Sequence, residues 1–308
     1  MKPQAPIHSA MQLLRQKYRK RLFDVAKDMG MSAANLSNIE SGRQKPPSDF
    51  IERAALAMPL KVGDKRSLKE ALARAQVRFS LADMAPDKRE RVAVLFSKIQ
   101  SASEKGLSRF EEMLADYDIN SLDLSLSNIG SHRHPLAAPM SFREINKEAE
   151  KVRERLSCPA TDRINIVDLL EFDLDKVLPG ATFSIREKEE MEGVSAAAVP
   201  CLQHIFLRED IYNRAAAGAR GSAFIIAHEL GHLLLHDAIS TIPAENADNY
   251  QRYYDPEWQA TKFAQCLLVP ASGLSLHDDQ VSVMRRYRVS EDVARFQLKD
   301  CRSRQLIS

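Results

Sequence analysis

The chain has 308 residues, 44% of them hydrophobic and 28% charged, which is enough apolar content for a full core and excludes a compositionally disordered polypeptide. At about 100 to 200 residues per domain, the length predicts roughly two domains. No run of about 18 apolar residues occurs and the first residues lack the apolar stretch of a secretory signal, so the expectation is a cytoplasmic protein with no membrane partner.

The net charge of +2 hides an asymmetry. Residues 1–66 hold 13 Lys and Arg against 6 Asp and Glu, leaving 31 against 36 for residues 67–308. Arg15, Lys17, Arg19, Lys20 and Arg21 fall within seven positions, and a basic head on a mildly acidic body suits a polyanion partner or a solvated helix face. The four cysteines, Cys158, Cys201, Cys266 and Cys301, make no Cys-x-x-Cys pair and are read as ordinary buried thiols.

Short helices are predicted over 9–20, 22–29, 32–41 and 48–57, broken by Gly30, Gly42 and the pair Pro46, Pro47. Gly30 places a tight turn between the second and third, and Ser32 stands as N-cap of the third, which is the layout of a helix-turn-helix. With Val25 and Ala26 before the turn and Gly42, Arg43, Gln44, Lys45 and Pro46 after the third helix, residues 9–60 resemble the XRE, or Cro/repressor-type, DNA-binding domain. The resemblance implies double-stranded DNA as partner, with Ala33, Ala34 and Asn38 at base-reading places and Asn35 and Arg43 on phosphates. The two alanines can meet thymine methyls but cannot donate hydrogen bonds, so discrimination would lean on Asn38 and DNA shape. A helix-turn-helix turned to protein contact is the competing reading.

Residues 67–117 stay helical in pattern as a connector after the first unit, 1–66. Val92, Leu95, Phe96 and Ile99 form one stripe, and Leu107, Phe110, Leu114 and Tyr117 another, which could close a small bundle or pair two protomers as a homodimer. Residues 118–140, rich in Ser and Asn, read as a linker holding the solvated pair His132 and His134. The last unit, 141–308, opens with a charged helix at 141–156 and a second helix near 167–170, followed by short strands at 182–185, 194–199 and 204–207. Two further helices are predicted over 221–236 and 256–268.

The first of these carries His228-Glu229-Leu230-Gly231-His232 in a run apolar on nearly every face, the mark of a buried helix. Residues four apart on a helix differ by about 40° in azimuth and about 6 Å in rise, so both imidazoles can reach one ion while Glu229 flanks it as a general base. Gly231, costly in mid-helix, signals close approach of another backbone. On the next helix Ala260, Phe263, Ala264, Leu267 and Leu268 form an apolar stripe with Glu257 on it. Glu257 is either a third ligand or a cap of its own helix, and two histidines with a glutamate make the donor set of a catalytic rather than structural zinc site. His236 lies about 12 Å along the axis from His228, too far to share the ion comfortably, and is read as a support behind the ligands or a hydrogen-bonded core histidine.

Residues 224–236, followed by Glu257-x-x-Ala260-x-x-Phe263-Ala264-x-x-Leu267-Leu268-x-Pro270, resemble the ImmA/IrrE family of zinc metallopeptidases over roughly 141–270 and the helices beyond. The resemblance implies an α+β, zincin-like domain with a small sheet, zinc on His228, His232 and Glu257, Glu229 as base, and a transcriptional repressor as the protein cut, in a phage, mobile-element or stress response. No residue stands out as oxyanion stabiliser beyond the candidates Tyr253 and Tyr254. The whole chain then reads as mainly α: an all-α DNA-binding unit, a helical connector and a metallopeptidase domain. The rival is a transcription factor whose metal domain senses a ligand or docks a partner and cuts nothing.

Overall fold

In the computed structural model, residues 7–75, 133–191, 193–236, 240–243 and 252–307 are described. The stripes at 92–99 and 107–117, residues 118–132 of the expected linker, and His132 lie outside them.

The glycine punctuation of the N-terminal segment yields five helices: α1 (Ile7–Tyr18), α2 (Leu22–Asp28), α3 (Ala33–Glu40), α4 (Phe50–Ala57) and α5 (Val62–Ala75). Gly30, at φ +66°, makes the left-handed turn that only glycine takes without strain, and the Ser32 side chain accepts from the Asn35 N–H at 3.0 Å to start α3. Met11, Leu14, Val25, Leu36, Ile39, Phe50 and Leu68 close the apolar centre of this group.

Residues 133–140, expected as linker, are structured instead. Strand β1 (Arg133–Leu136), which includes His134, pairs antiparallel with a strand more than 100 residues later, β5 (Ser240–Pro243). Helix α6 (Phe142–Arg155) begins at Ser141 with a reciprocal capping box to Glu144. A short turn of helix, α7 (Ile166–Asp168), runs through a π-wound segment (Leu169–Asp173) into α8 (Leu174–Val177). The second sheet has the order β2-β4-β3, with β2 (Thr182–Arg186) parallel to β4 (His204–Arg208), and β4 antiparallel to β3 (Ala196–Val199). Helix α9 (Glu209–Ala216), absent from the sequence reading, follows β4 and turns at Gly218 into α10 (Arg220–Leu235). Helices α11 (Pro256–Leu268), α12 (Gln280–Tyr287) and α13 (Glu291–Ser303) complete the chain. The architecture is mainly helical with a small three-stranded mixed sheet, as expected.

The N-terminal helices lie directly against the rest of the chain. Arg15 is buried between Glu40, 2.6 Å from its Nε, and Glu171 of the π segment, 2.5 Å from Nη1. Glu171 also accepts from the Leu22 N–H at 2.9 Å and from the Tyr212 hydroxyl. Helix α3 rests on β2 and α9: the Ser37 hydroxyl accepts from the Ile185 N–H at 2.9 Å, and Glu209 accepts from the Ala34 N–H at 3.1 Å. Arg21 meets Asp168 at 2.7 Å. Cys266 and Cys301 are buried as expected, whereas Cys158 is half-buried and Cys201 is exposed, because it lies in the turn between β3 and β4, none of whose residues is buried.

Candidate metal centre

Helix α10 is buried because apolar residues cover most of its faces, and its packing against α11 sets the site. Built onto Gly231, a Cβ would lie 3.0 Å from the Ala260 Cα and 3.1 Å from the Ala260 oxygen, so the two backbones meet there, as the mid-helix glycine signalled. Ala260, Phe263, Ala264 and Leu267 on α11 are fully buried. This contact brings the first turn of α11 beside the polar face of α10.

The Nε2 atoms of His228 and His232 are 3.0 Å apart. Glu257 completes the triangle, with Oε2 3.2 Å from His228 Nε2 and Oε1 3.3 Å from His232 Nε2. Glu257 does not cap α11; that role falls to Asp255, whose side chain accepts from the Glu257 N–H at 2.9 Å, with Pro256 opening the helix. Nor is Glu257 buried with the apolar stripe. Its side chain is 66% exposed, because it stands in the first turn, at the lip of the α10–α11 contact, and only its carboxylate reaches inward. The imidazoles of His228 and His232 beside it hold that carboxyl well below the usual carboxylate range.

Glu229 points to the sheet side of α10, where its Oε2 accepts from the Ala198 N–H of β3 at 2.7 Å. Burial pushes its carboxyl above the ordinary value, against the attraction of the two histidines. His236 is buried and, through burial, pushed down to about 4. It does not face the triangle; its Nδ1 is 3.1 Å from His232 Nδ1 and its Nε2 is 3.0 Å from Gln259 Oε1. Gln259 and Thr261, whose Oγ1 is 3.3 Å from His228 Nδ1, went unnoticed in the sequence because each reads as one more polar residue of an amphipathic helix. Tyr253 and Tyr254 form a turn before α11, their rings 4.9 Å apart, and their main-chain oxygens accept from Met140 and Ala137.

The donor set fits a zinc ion. Bonds of about 2.0–2.1 Å to a tetrahedral centre put ligand atoms about 3.3–3.4 Å apart, close to the 3.0 Å between the two Nε2 atoms and to the 3.2 and 3.3 Å that separate them from Oε2 and Oε1, respectively, of the Glu257 carboxylate. Among the described residues His228, His232 and Glu257 form the group able to hold a metal, with ligand atoms all within 4.8 Å of one another.

Residues 202–299 match the family model of the IrrE N-terminal-like domain, a peptidase domain. The match starts in the turn just before β4 and reaches into α13, so it contains both helices that carry the candidate ligands and begins later than the 141–270 span of the sequence resemblance. Residues 202–299 are thus similar to a peptidase domain and carry a His-His-Glu group that could hold a metal. Comparison with curated proteins and with solved structures gave no significant match.

The residues expected to touch DNA are placed differently from the metal group. Ala33 and Ala34 are buried, Asn35, Asn38 and Arg43 half-buried, and the Arg43 Nε donates to the Ser41 hydroxyl at 2.8 Å. With α3 docked on β2 and α9, the two alanine side chains are not offered to a base edge.

Proposed function

We propose that the protein is a zinc-dependent endopeptidase that cuts a partner protein, a transcriptional repressor fitting best, and that its N-terminal helices engage double-stranded DNA in the same regulatory circuit. The observation that carries the peptidase reading is the convergence of His228, His232 and Glu257, with Glu229 one residue from a ligand and its carboxyl near enough to feel both histidines and Glu257. His228, His232 and Glu257 would hold the ion with three protein donors, the number found at catalytic rather than structural zinc sites. Zinc held there supplies Lewis acidity to the scissile carbonyl and to the attacking water.

The chain's own groups account for the proton traffic and for substrate placement. Glu229, its basicity raised by burial, takes the proton of the attacking water and returns it to the leaving amine nitrogen as the peptide C–N bond breaks. Strand β3 has a described sheet neighbour on one side only, β4. Its Ala198 N–H already turns toward Glu229 rather than into the ladder, so an extended peptide laid along β3 would pass the carboxylate.

Glu229→Gln separates this reading from a metal domain that only senses or docks. The variant keeps zinc and captures the partner, and adding wild-type protein then shortens the captured chain. Unchanged cleavage by the variant itself would refute Glu229 as base.

The DNA reading requires α3 to leave β2 and α9. The double variant Glu209→Ala, Asp168→Asn removes the acceptor of the Ala34 N–H and the partner of Arg21. It should bind a duplex of about 25 base pairs more tightly than wild type, with a steeper salt dependence. Equal affinity, or none in either protein, favours a helix-turn-helix devoted to holding the peptidase domain.

A further inference from the structure

Behind the metal-facing nitrogens, a chain of hydrogen bonds runs from His232 to the main chain. Gln259 is fully buried on α11 and places its side-chain nitrogen 2.7 Å from the Ala138 oxygen and 2.7 Å from the Tyr253 oxygen. Two carbonyl acceptors require two donors, so that end of the amide is its NH2 group, and Oε1 at the other end can only accept. Oε1 lies 3.0 Å from His236 Nε2, so the imidazole hydrogen of His236 sits on Nε2. An imidazole protonated there carries a lone pair on Nδ1. That lone pair faces His232 Nδ1 at 3.1 Å, so His232 donates from Nδ1. The lone pair of His232 is therefore on Nε2, the atom that faces His228 and Glu257.

We propose that His236 and Gln259 are positioning residues: by a one-way relay from the Ala138 and Tyr253 carbonyls, they fix His232 as the tautomer whose Nε2 is free to bind metal. The proposal rests on the reading of His232 as a ligand. It assigns a task to the buried His236, which the metal triangle leaves unused, and to a fully buried glutamine of α11. It also ties the ligand's orientation to the segment before α6, since the same two turns are joined by the Ala137 N–H on the Tyr254 oxygen and the Met140 N–H on the Tyr253 oxygen.

The test is nitrogen-15 NMR of the histidine rings in the full-length, metal-free protein, paired with zinc affinity from chelator competition. In wild type His232 should show hydrogen on Nδ1 and His236 hydrogen on Nε2. His236→Phe and Gln259→Leu should each abolish the His232 preference and weaken zinc about 10- to 100-fold while one zinc per chain still binds at saturation. A merely structural role would alter stability without moving the tautomer signature. Hydrogen on His232 Nε2 in wild type would overturn the proposal, even if neither variant folds, and so would an unchanged tautomer and affinity in folded variants. Failure of every form to bind zinc, with the wild-type tautomers as stated, would support the relay and refute the metalloenzyme reading instead.

Discussion

Gly231 and Ala260 bring two helix backbones together: a Cβ on Gly231 would stand 3.0 Å from the Ala260 Cα, tighter than ordinary van der Waals contact. The Ala260 oxygen at 3.1 Å and the Phe263 ring at 3.2 Å close the remaining space. Main-chain atoms cannot rotate away, so relief has to come from a shift of α11, and α11 carries Glu257. Replacement of a mid-helix glycine by alanine ordinarily stabilises by about 1 kcal/mol. Here overpacking should outweigh that gain, and Gly231→Ala should destabilise by a net ~1–2 kcal/mol in urea unfolding and weaken zinc binding. A rise in stability with zinc affinity intact would show that α11 yields freely and that its separation from α10 does not set the site.

Among the described residues, Arg15 is the positive group hydrogen-bonded to both Glu40 and Glu171, and it is buried with them. Burial already pushes the Glu40 carboxyl upward, against the pull of Arg15. Arg15→Met fills similar volume but leaves the carboxylates facing each other without a counter-charge. It should cost about 3–5 kcal/mol of unfolding free energy and separate the N-terminal helices from the π-wound segment that carries Glu171. A loss below 1 kcal/mol, or an unchanged protease-resistant fragment pattern, would contradict that contact.

Asp64 links α5 to α1. Hydrogen bonding from Lys17 at 2.6 Å and from the Tyr18 hydroxyl depresses its carboxyl from 3.8 to about 2. A folded-state value below the unfolded one contributes stability that is present above about 3.8 and is lost as pH falls toward 2. Wild type should therefore weaken across that window more steeply than Asp64→Asn, which has no such proton to take up. The check is urea midpoints measured between pH 5 and pH 2, and parallel slopes for the two proteins would contradict the assignment.

The metal helix was legible because a 3.6-residue period converts His228 and His232, four apart, into neighbours whatever surrounds them. Glu257 was legible as a ligand candidate but not as an exposed one, since spacing fixes the stripe of a residue and not its distance from the rim of a helix contact. The short strands were visible in their β-branched and apolar runs. The β1–β5 pairing was not, because Pro135 and the polar company of 118–140 read as linker and the partner strand is remote in sequence. Ala33 and Ala34 illustrate the deepest ambiguity: small side chains on a short helix suit close approach to DNA and close approach to a sheet equally well. Only the Glu209 and Ser37 hydrogen bonds across the contact show the second arrangement. Gln259 was invisible for a related reason, since its role lies in two carbonyls and an imidazole contributed by other parts of the chain.

The zinc content of the purified full-length protein, measured by elemental analysis after removal of loosely held metal, decides whether His228, His232 and Glu257 hold a metal ion. One zinc per chain is expected in wild type and in Glu229→Gln, and near zero in His232→Ala and Glu257→Ala. Wild-type protein that retains no zinc after zinc supplementation, or a His232→Ala protein that retains a full equivalent, would contradict it.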